Sequence, residues 1–321
     1  MTSQNGRSRR WTKPAQPMMP TQPMKWPEAM VLTAGFVFLD WVSYLHPLYG
    51  FNITPWSPAS ALGLVGFLHF GWFAAAPVGL AILLSDIWVR NLPASMPTLI
   101  VLAALLAVGY GVIGAALRRR LPRLLIFSDR RSLLEWAALV VAGTFVISVL
   151  FMGALSAAGL IPASEWRGAA LRYWIGDAVG ILVTMPLIWM LTSRQDRRVL
   201  RAVLAAPETL AQLAAAAVAL WIAFGIGPAT DFKHFYVLAL PIVWAAARHG
   251  LPGAVLLAAV VQVGVIVGVE VKGFAAISVF EVQTLSVVLA LLGFFVGVVV
   301  NEQRRLGSEL RSPHTAQRRR P

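Results

Sequence analysis

Five carboxylates lie inside long apolar stretches of this sequence, where an uncompensated charge is costly. These residues are Asp40, Asp86, Glu135, Asp177 and Glu281. An ionised carboxylate at the centre of a bilayer costs at least about 2.5–3.5 kcal/mol, so such residues usually face a polar cavity, a partner charge or a ligand. Glu135 follows Arg130 and Arg131 closely and is interpreted as a solvated helix end. The other four are candidates for a site that binds hydrogen-bond donors or positive charge.

Each of these four acids also has a structural interpretation. Asp86 and Arg90 are four residues apart on one helix face and could form a simple ion pair. Asp40 and Glu281 could lie at the membrane interface. Asp177 falls about one turn into a predicted hydrophobic segment, where it could accept hydrogen bonds from free amides at the start of a helix. Capping and ligand binding are therefore both open for Asp177.

The elements that must position these acids are hydrophobic helices. Of 321 residues, 58% are hydrophobic and 13% charged, whereas soluble domains are roughly 45–50% apolar and about 25% charged. Ten hydrophobic segments span 28–46, 58–70, 72–91, 95–117, 132–157, 171–191, 209–227, 235–247, 251–269 and 278–300. The second and eighth are short for a bilayer of about 30 Å. We expect an all-α, polytopic transmembrane helical bundle with about 8–10 spans.

Two polar regions flank the predicted membrane domain, residues 27–300. Residues 1–26 are basic and rich in proline, which favours a disordered cytoplasmic tail. Residues 301–321 begin with the helix-compatible NEQRRLGSELR and are expected to form a juxtamembrane stalk and a short tail. This stretch cannot hold a further folded domain, because even small domains need about 50 residues.

The positive charges predict the orientation of the spans. With the N-terminus inside, 22 of the 27 Lys and Arg residues fall on the cytoplasmic side, as the positive-inside rule requires. Both termini are then cytoplasmic, and the net charge of +13 reflects membrane topology rather than nucleic-acid binding. The four candidate acids, Gln283 and the loop with Trp56 all fall on the outer side.

Sequence motifs for catalysis are missing from the chain. Zero cysteines exclude disulfides and thiol chemistry. GYGVIG, with Gly109, Gly111 and Gly114, matches a dinucleotide fingerprint on paper, but it lies inside an apolar span, where glycines instead let helices approach closely. We expect a protein that is not an enzyme and has neither a cofactor nor a metal site.

A weak internal echo occurs at an offset of about 180 residues. The segments 60–84 and 238–262 each read as a short helix, a tip with His and Gly, and a longer helix. The tips are His69–Gly71 and His249–Gly250, both expected at the cytoplasmic face. A parallel repeat and chance similarity between Ala-rich helices both explain the echo.

Four segments carry a resemblance to a known family. WIGDAVGILVTMP (174–186), LPIVWAAARHGLPGA (240–254), TPWSPASALGL (54–64) and 282–305 resemble segments of the type-one membrane-associated sensor (MASE) domains, and the likeness covers roughly 28–305. TPWSPASALGL departs from the family pattern, with Ser57 in place of a proline and Ser60 in place of a glycine. The motif residues that carry over are Trp56, Pro58, Trp174, Gly176, Asp177, Gly180, Pro186, Pro241, Trp244, Arg248, Gly250 and Gly253.

The resemblance implies a bacterial sensory domain that performs no chemistry in the membrane. It implies detection of an unidentified small-molecule ligand, here from the outer side, and a signal passed through the last helix to a histidine kinase or a cyclic-di-GMP enzyme. That enzyme would act in trans, unless the chain is a truncated receptor; a homodimer is a further open partner. The alternative is a small-molecule transporter or its substrate-binding subunit, which intramembrane acids fit equally well.

Overall fold

The computed structural model describes residues 23–44, 54–121, 127–226, 234–272 and 276–317. Most of the predicted tail, residues 1–26, lies outside the described residues. Eleven α-helices occur in the described ranges, and no strand does. They are α1 Trp26–Ser43, α2 Pro58–Phe70, α3 Ala75–Leu84, α4 Met96–Arg120, α5 Arg130–Ala157, α6 Trp166–Thr192, α7 Arg194–Leu204, α8 Pro207–Gly225, α9 Ala239–His249, α10 Leu251–Lys272 and α11 Ala276–Gln317.

The expected all-helical membrane fold is confirmed. Within the described residues, seven stretches are long and apolar enough to cross a membrane: Pro58–Val89, Met96–Arg120, Arg130–Ala157, Trp166–Thr192, Pro207–Gly225, Leu251–Lys272 and Glu281–Gly307. Phe235–His249 is a shorter apolar helix. The ten hydrophobic segments expected from the sequence all correspond to helical segments. Helix α7 was not predicted from hydropathy, because it is strongly charged, yet it buries Leu200 and Val203.

The stretch Pro58–Val89 is a hairpin rather than one straight helix. Positions 63 and 66 of α2 lie beside Val78 and Ala74, a contact that only an antiparallel return allows. The turn is at Gly71, whose φ of 59° is strained for any residue with a Cβ. The expected turn at this His-Gly tip is therefore confirmed.

A second hairpin joins α9 to α10 in the same way. Its turn is Gly250, with φ of 67°, and Gly253 packs directly on the Ala245 carbonyl. Gly71 and Gly250 have nearly the same backbone conformation, with ψ of −141° and −150°, and are 179 positions apart. The two tips of the sequence echo are thus structurally equivalent.

The hairpins belong to two similar four-helix units. In α1–α4, the outer helices α1 and α4 both pack on α2 and α3; in α8–α11, α8 and α11 both pack on α9 and α10. The Leu68 carbonyl accepts a hydrogen bond from Arg118 of α4, and the Ala247 carbonyl, 179 positions later, accepts one from Arg304 of α11 at 3.5 Å. These matched contacts support a parallel repeat over chance similarity.

Helix α6 lies between the two units. It packs on α2 in the first unit and on α10 and α11 in the second, while α5 packs alongside it. Its central third, around Asp177 to Val183, is almost fully buried. Any rearrangement of α6 therefore affects both units.

Candidate functional site

Two glycines of α6 let a non-helical segment lie across it. A Cβ at Gly176 would collide with the Thr54 carbonyl oxygen, and one at Gly180 with the Ser57 carbonyl. The approach is closed by the Ser57 N–H, which donates to the Gly176 carbonyl at 3.1 Å. The two glycines of the W-x-G-D-x-x-G motif thus form a groove on α6 that accommodates residues 54–57, which lead into α2.

The neighbouring motif residues fix this arrangement. Trp56 Nε1 donates to Thr184 Oγ1 of α6 at 3.2 Å, and Trp174 Nε1 donates to the Val141 carbonyl of α5 at 3.0 Å. Pro58 occupies the first helical position of α2, where its missing N–H costs nothing. Pro186 is buried inside α6. These residues position the start of α2 against the middle of α6.

Asp177 is not a helix cap. Helix α6 begins at Trp166, five residues earlier than the hydrophobic segment suggested, so Asp177 lies eleven residues, or about 16 Å, inside it. The free amides of a helix are confined to its first turn, which excludes the capping interpretation. The carboxylate is 2% exposed and accepts a hydrogen bond from Tyr110 Oη on Oδ1 at 2.9 Å. Its Oδ2 has no partner among the described residues.

A chain of hydroxyl groups leads from Asp177 to α2. Ser57 Oγ and Ser60 Oγ are 3.0 Å apart, and Ser60 Oγ and Tyr110 Oη are 2.9 Å apart. Since the single proton of Tyr110 is directed at Asp177, Ser60 must donate to Tyr110, and Ser57 to Ser60. The chain therefore has one defined polarity as long as Asp177 accepts.

Arg90 makes its two-point contact with another helix. Its Nη2 donates to Asp40 Oδ1 at 2.7 Å and its Nε to Asp40 Oδ2 at 3.2 Å. The simple local pair between Asp86 and Arg90 does not describe this arrangement. Residues 85–89 form a π-helical turn, closed by the Arg90 N–H on the Ser85 carbonyl at 2.9 Å, and this wider turn alters the expected i,i+4 register.

A small cavity connects the pair of Asp40 and Arg90 with Tyr110, the hydrogen-bond partner of Asp177. It measures about 20 Å³, room for about one water molecule. Its polar lining comprises Asp40, Ser57, Ser60, Ser85, Asp86, Arg90, Tyr110 and Tyr173. Asp86 is 3% exposed, and neither its Oδ2 nor Ser85 Oγ has a partner among the described residues. We refer to Asp40, Asp86, Arg90, Tyr110 and Asp177 as the polar cluster.

The polar cluster holds an excess of acid. The cluster contains three buried carboxylates and one guanidinium, so its fully ionised form carries a net charge of −2 in a low-dielectric core. Among the described residues, no group of three His, Asp or Glu is arranged to hold a metal ion. The arrangement can hold a proton or a small positively charged group.

The second unit lacks this polarity at the matching positions. Ala219, Val265, Val269 and Leu289 lie 179 residues after Asp40, Asp86, Arg90 and Tyr110, and all four are buried. The four-helix unit therefore folds with apolar residues at these positions. Asp40, Asp86, Arg90 and Tyr110 therefore have no polar counterparts at the equivalent positions of the second unit.

The remaining predicted site residues lie elsewhere. Glu281 is exposed near the start of α11 and does not line the cavity. Gln283 is buried in the second unit, where its Oε1 accepts a hydrogen bond from Gln262 Nε2 at 2.8 Å. Among the predicted acids, the structure brings together Asp40, Asp86 and Asp177.

Sequence reasoning missed the two tyrosines of the site. Tyr110 lies within GYGVIG, and its burial follows from the close packing of Gly111 and Gly114 on Phe67. Tyr173 immediately precedes the W-x-G-D motif. A hydroxyl in an otherwise apolar span is the signal that could have identified Tyr110.

At the opposite end of the bundle, other helices contact α11 near the end of its apolar stretch Glu281–Gly307. We call Asn301, Glu302 and Arg304 the α11 junction. Glu302 forms an ion pair with Arg130 of α5 at 3.0 Å, and Arg304 Nη2 donates to the Arg248 carbonyl of α9 at 2.9 Å. Asn301 packs directly on Gly250, so the junction is held by two other helices.

The second family motif forms the base of this junction. Arg248 Nε contacts both carboxylate oxygens of Glu208 in α8, at 2.7 and 2.9 Å, and Trp244 Nε1 donates to the same carboxylate at 3.2 Å. Pro241 is buried in the first turn of α9. The motif therefore ties α8, α9 and α11 together.

The fold and site define a polytopic helical membrane protein with a buried charged site and a helix that extends beyond its last span. The chain belongs to the MASE1 family, whose profile matches residues 29–304. This is a family of membrane-associated sensory domains, and the match confirms the resemblance drawn from the motifs. Searches among curated proteins and among solved structures returned no match.

Proposed function

We propose that this membrane sensor receives its signal at the polar cluster, from a small molecule that arrives on the outer side. The observation that carries the proposal is the buried excess of carboxylates beside a cavity, in a unit whose repeat is apolar at the same positions. Buried charge of this kind weakens a membrane fold and commonly marks a functional site. The cluster also lies at the end of the bundle opposite the α11 junction, and that end is the outer one in the topology predicted from the positive charges.

Helix α6 supplies the connection between input and output. It carries Asp177 and packs on α2, α10 and α11. A ligand that favours one packing of α6 shifts the population of α11 arrangements, by no more than its differential affinity for the two states. Because α11 runs unbroken to Gln317, a displacement in the membrane reaches the predicted cytoplasmic stalk.

The family resemblance suggests the receiver of this signal. It is a histidine kinase or a cyclic-di-GMP enzyme, in the same polypeptide or in a separate one, in a bacterial inner membrane. The segment of α11 that follows Glu302 is the surface we assign to that contact. In this scheme the membrane domain itself catalyses no reaction.

A transporter is the second candidate, and the internal repeat favours it. Parallel repeats with a polar site near the repeat interface occur in transporters. The two units here, however, differ at the site, since the charged residues of the first have apolar counterparts in the second. A pathway that alternates around pseudo-equivalent halves has less support than an input site in one unit.

One reconstituted preparation separates the two functions. Proteoliposomes are exposed to a ¹³C-labelled metabolite extract, and their lumen is analysed by mass spectrometry. A sensor leaves the lumen no richer than protein-free vesicles, while the extract raises the melting temperature of the protein in nanodiscs. Asp177→Asn should abolish this rise, and Glu281→Gln, at an exposed acid, should retain it. Accumulation that requires Asp177 would establish the transporter instead.

A further inference from the structure

The cavity of the polar cluster is large enough for only one water-sized ligand. At about 20 Å³ it accepts one water molecule or an ion of similar radius, and organic ligands are too large for it. Its apolar walls are Phe36, Ile82, Leu106 and Phe151, which enclose the polar groups within the core. The ligands that fit this cavity are therefore a water molecule or a monatomic ion.

Two residues that line this space carry oxygens without a hydrogen-bond partner among the described residues. Asp86 Oδ2 and Ser85 Oγ both belong to residues that line the cavity, are at least nine-tenths buried and have no hydrogen-bond partner among the described residues. A buried carboxylate oxygen without a partner is costly. It therefore marks the place of a donor or a cation.

The charge of the surroundings selects a cation. Asp86 is faced by Asp40 from α1, Tyr110 from α4, Tyr173 from α6 and Arg90 from its own element. The guanidinium is engaged by both oxygens of Asp40. Asp86 and Asp177 thus contribute negative charge that Arg90 alone does not balance, and an anion is excluded electrostatically.

The ligand set favours a monovalent over a divalent cation. Divalent ions are held by several carboxylates at short distance, and the described residues contain no such group. One carboxylate oxygen with neutral hydroxyl oxygens is instead suited to an ion of single charge. We propose that the cavity beside Asp86 binds one small monovalent cation, Na⁺ or a proton that Asp86 takes up beside a bound water, and that occupancy of this cavity is part of the signal that the input site receives. This rests on the proposed input site and names its ligand class.

The repeat supplies independent support. The position equivalent to Asp86 is Val265, and the position equivalent to Ser85 is Gly264, against which Leu220 packs. In the second unit a leucine side chain therefore occupies this level of the helix pair. The first unit keeps an oxygen-lined cavity there.

The test is cation-dependent stability of the purified full chain in zwitterionic nanodiscs. Melting temperatures are read from tryptophan fluorescence in NaCl, KCl, NH₄Cl and choline chloride at equal ionic strength, at about pH 8 and about pH 5. A tenfold excess of cation over its Kd stabilises by about 1.4 kcal/mol, or roughly 3 °C. Asp86→Asn and Ser85→Ala should lose or weaken this shift, and Glu281→Gln should keep it.

The salts distinguish the two sources of charge. A rise in NaCl over choline at constant pH identifies Na⁺. A rise on acidification in choline, absent from Asp86→Asn, identifies the proton. Equal melting temperatures in all salts at both pH values overturn the proposal, as does any shift that Asp86→Asn retains; both results would mean that the cavity holds a water only. Even after either result, the proposed sensor function would still be supported by a ¹³C-labelled compound that raises the melting temperature only when Asp177 is present.

Discussion

Removing Arg90 should cost far more stability than removing its partner Asp40. Arg90→Met leaves the carboxylates of Asp40 and Asp86 buried without a cation, and an uncompensated buried charge costs about 3–5 kcal/mol. Asp40→Asn removes one charge-assisted contact, but the guanidinium retains Asp86 as a counter-charge, so the loss is about 1–2 kcal/mol. Two unit charges about 4 Å apart interact by about 4 kcal/mol at an effective dielectric of about 20, which sets the same scale.

The second unit provides the control for this comparison. The triple variant Asp40→Ala, Asp86→Val and Arg90→Val installs the residues found at the equivalent positions. Because apolar replacement of a whole buried ionic group is often tolerated, it should recover at least half of the loss in Arg90→Met. Free energies of unfolding come from SDS titration in bicelles. The reasoning is refuted if Asp40→Asn costs as much as Arg90→Met, or if the triple variant is less stable than Arg90→Met.

Three further predictions concern the groove, a helix cap and the junction. Gly180→Ala should destabilise the protein by about 2–3 kcal/mol in the same titration, because its Cβ would meet the Ser57 carbonyl. The control Gly168→Ala, in the same helix, meets nothing within 4 Å and should be neutral or stabilising. Equal losses in the two variants would contradict the groove. Although partial burial raises the pKa of Asp129, hydrogen bonds from the Ser132 N–H and hydroxyl and from Ser128 outweigh it and hold that pKa below 3.8. Asp129→Ala should therefore cost about 1 kcal/mol above about pH 4, and because a depressed folded-state pKa gives stability that is lost on acidification, the difference should vanish as pH falls through that pKa. Glu302→Gln breaks the half-exposed ion pair with Arg130 and should change the free energy of unfolding by under about 1 kcal/mol. The same variant should raise amide hydrogen exchange at the α11 junction. Unchanged exchange would mean that the pair does not hold α11.

The sequence predicted the helices well and the site in part. Hydropathy located ten hydrophobic segments, all of which coincide with helical segments, because burial in lipid requires apolar runs. It missed α7 because that helix is charged. The start of α6 was misplaced because Arg167 and Gly168 interrupt the apolar pattern without interrupting the helix. The partner of Arg90 is on α1, fifty residues away, and no periodicity within one helix can reveal a contact of this kind.

Motif spacing carried information that hydropathy did not. The glycines at 176 and 180 matched a motif of the family, but only the structure shows that they admit the backbone of residues 54–57. Gln283 was predicted on the same outer side as the acids, but it lies in the second unit. The side of the membrane does not determine which helices a residue contacts. The repeat was visible at its two glycine tips, and the three-dimensional contacts extend it to α1–α4 and α8–α11.

The central claim is that the polar cluster sets the arrangement of α11. The chain has no cysteine, so labels at Leu204→Cys and Leu306→Cys, both exposed, report one distance between α7 and the stalk. The measurement is that distance by pulsed electron spin resonance in nanodiscs. With Asp177→Asn the distribution should shift by at least about 1–2 Å, the scale of helix displacements in switching proteins, while Glu281→Gln overlays the unmodified chain. Three superimposable distributions from folded proteins would contradict the claim.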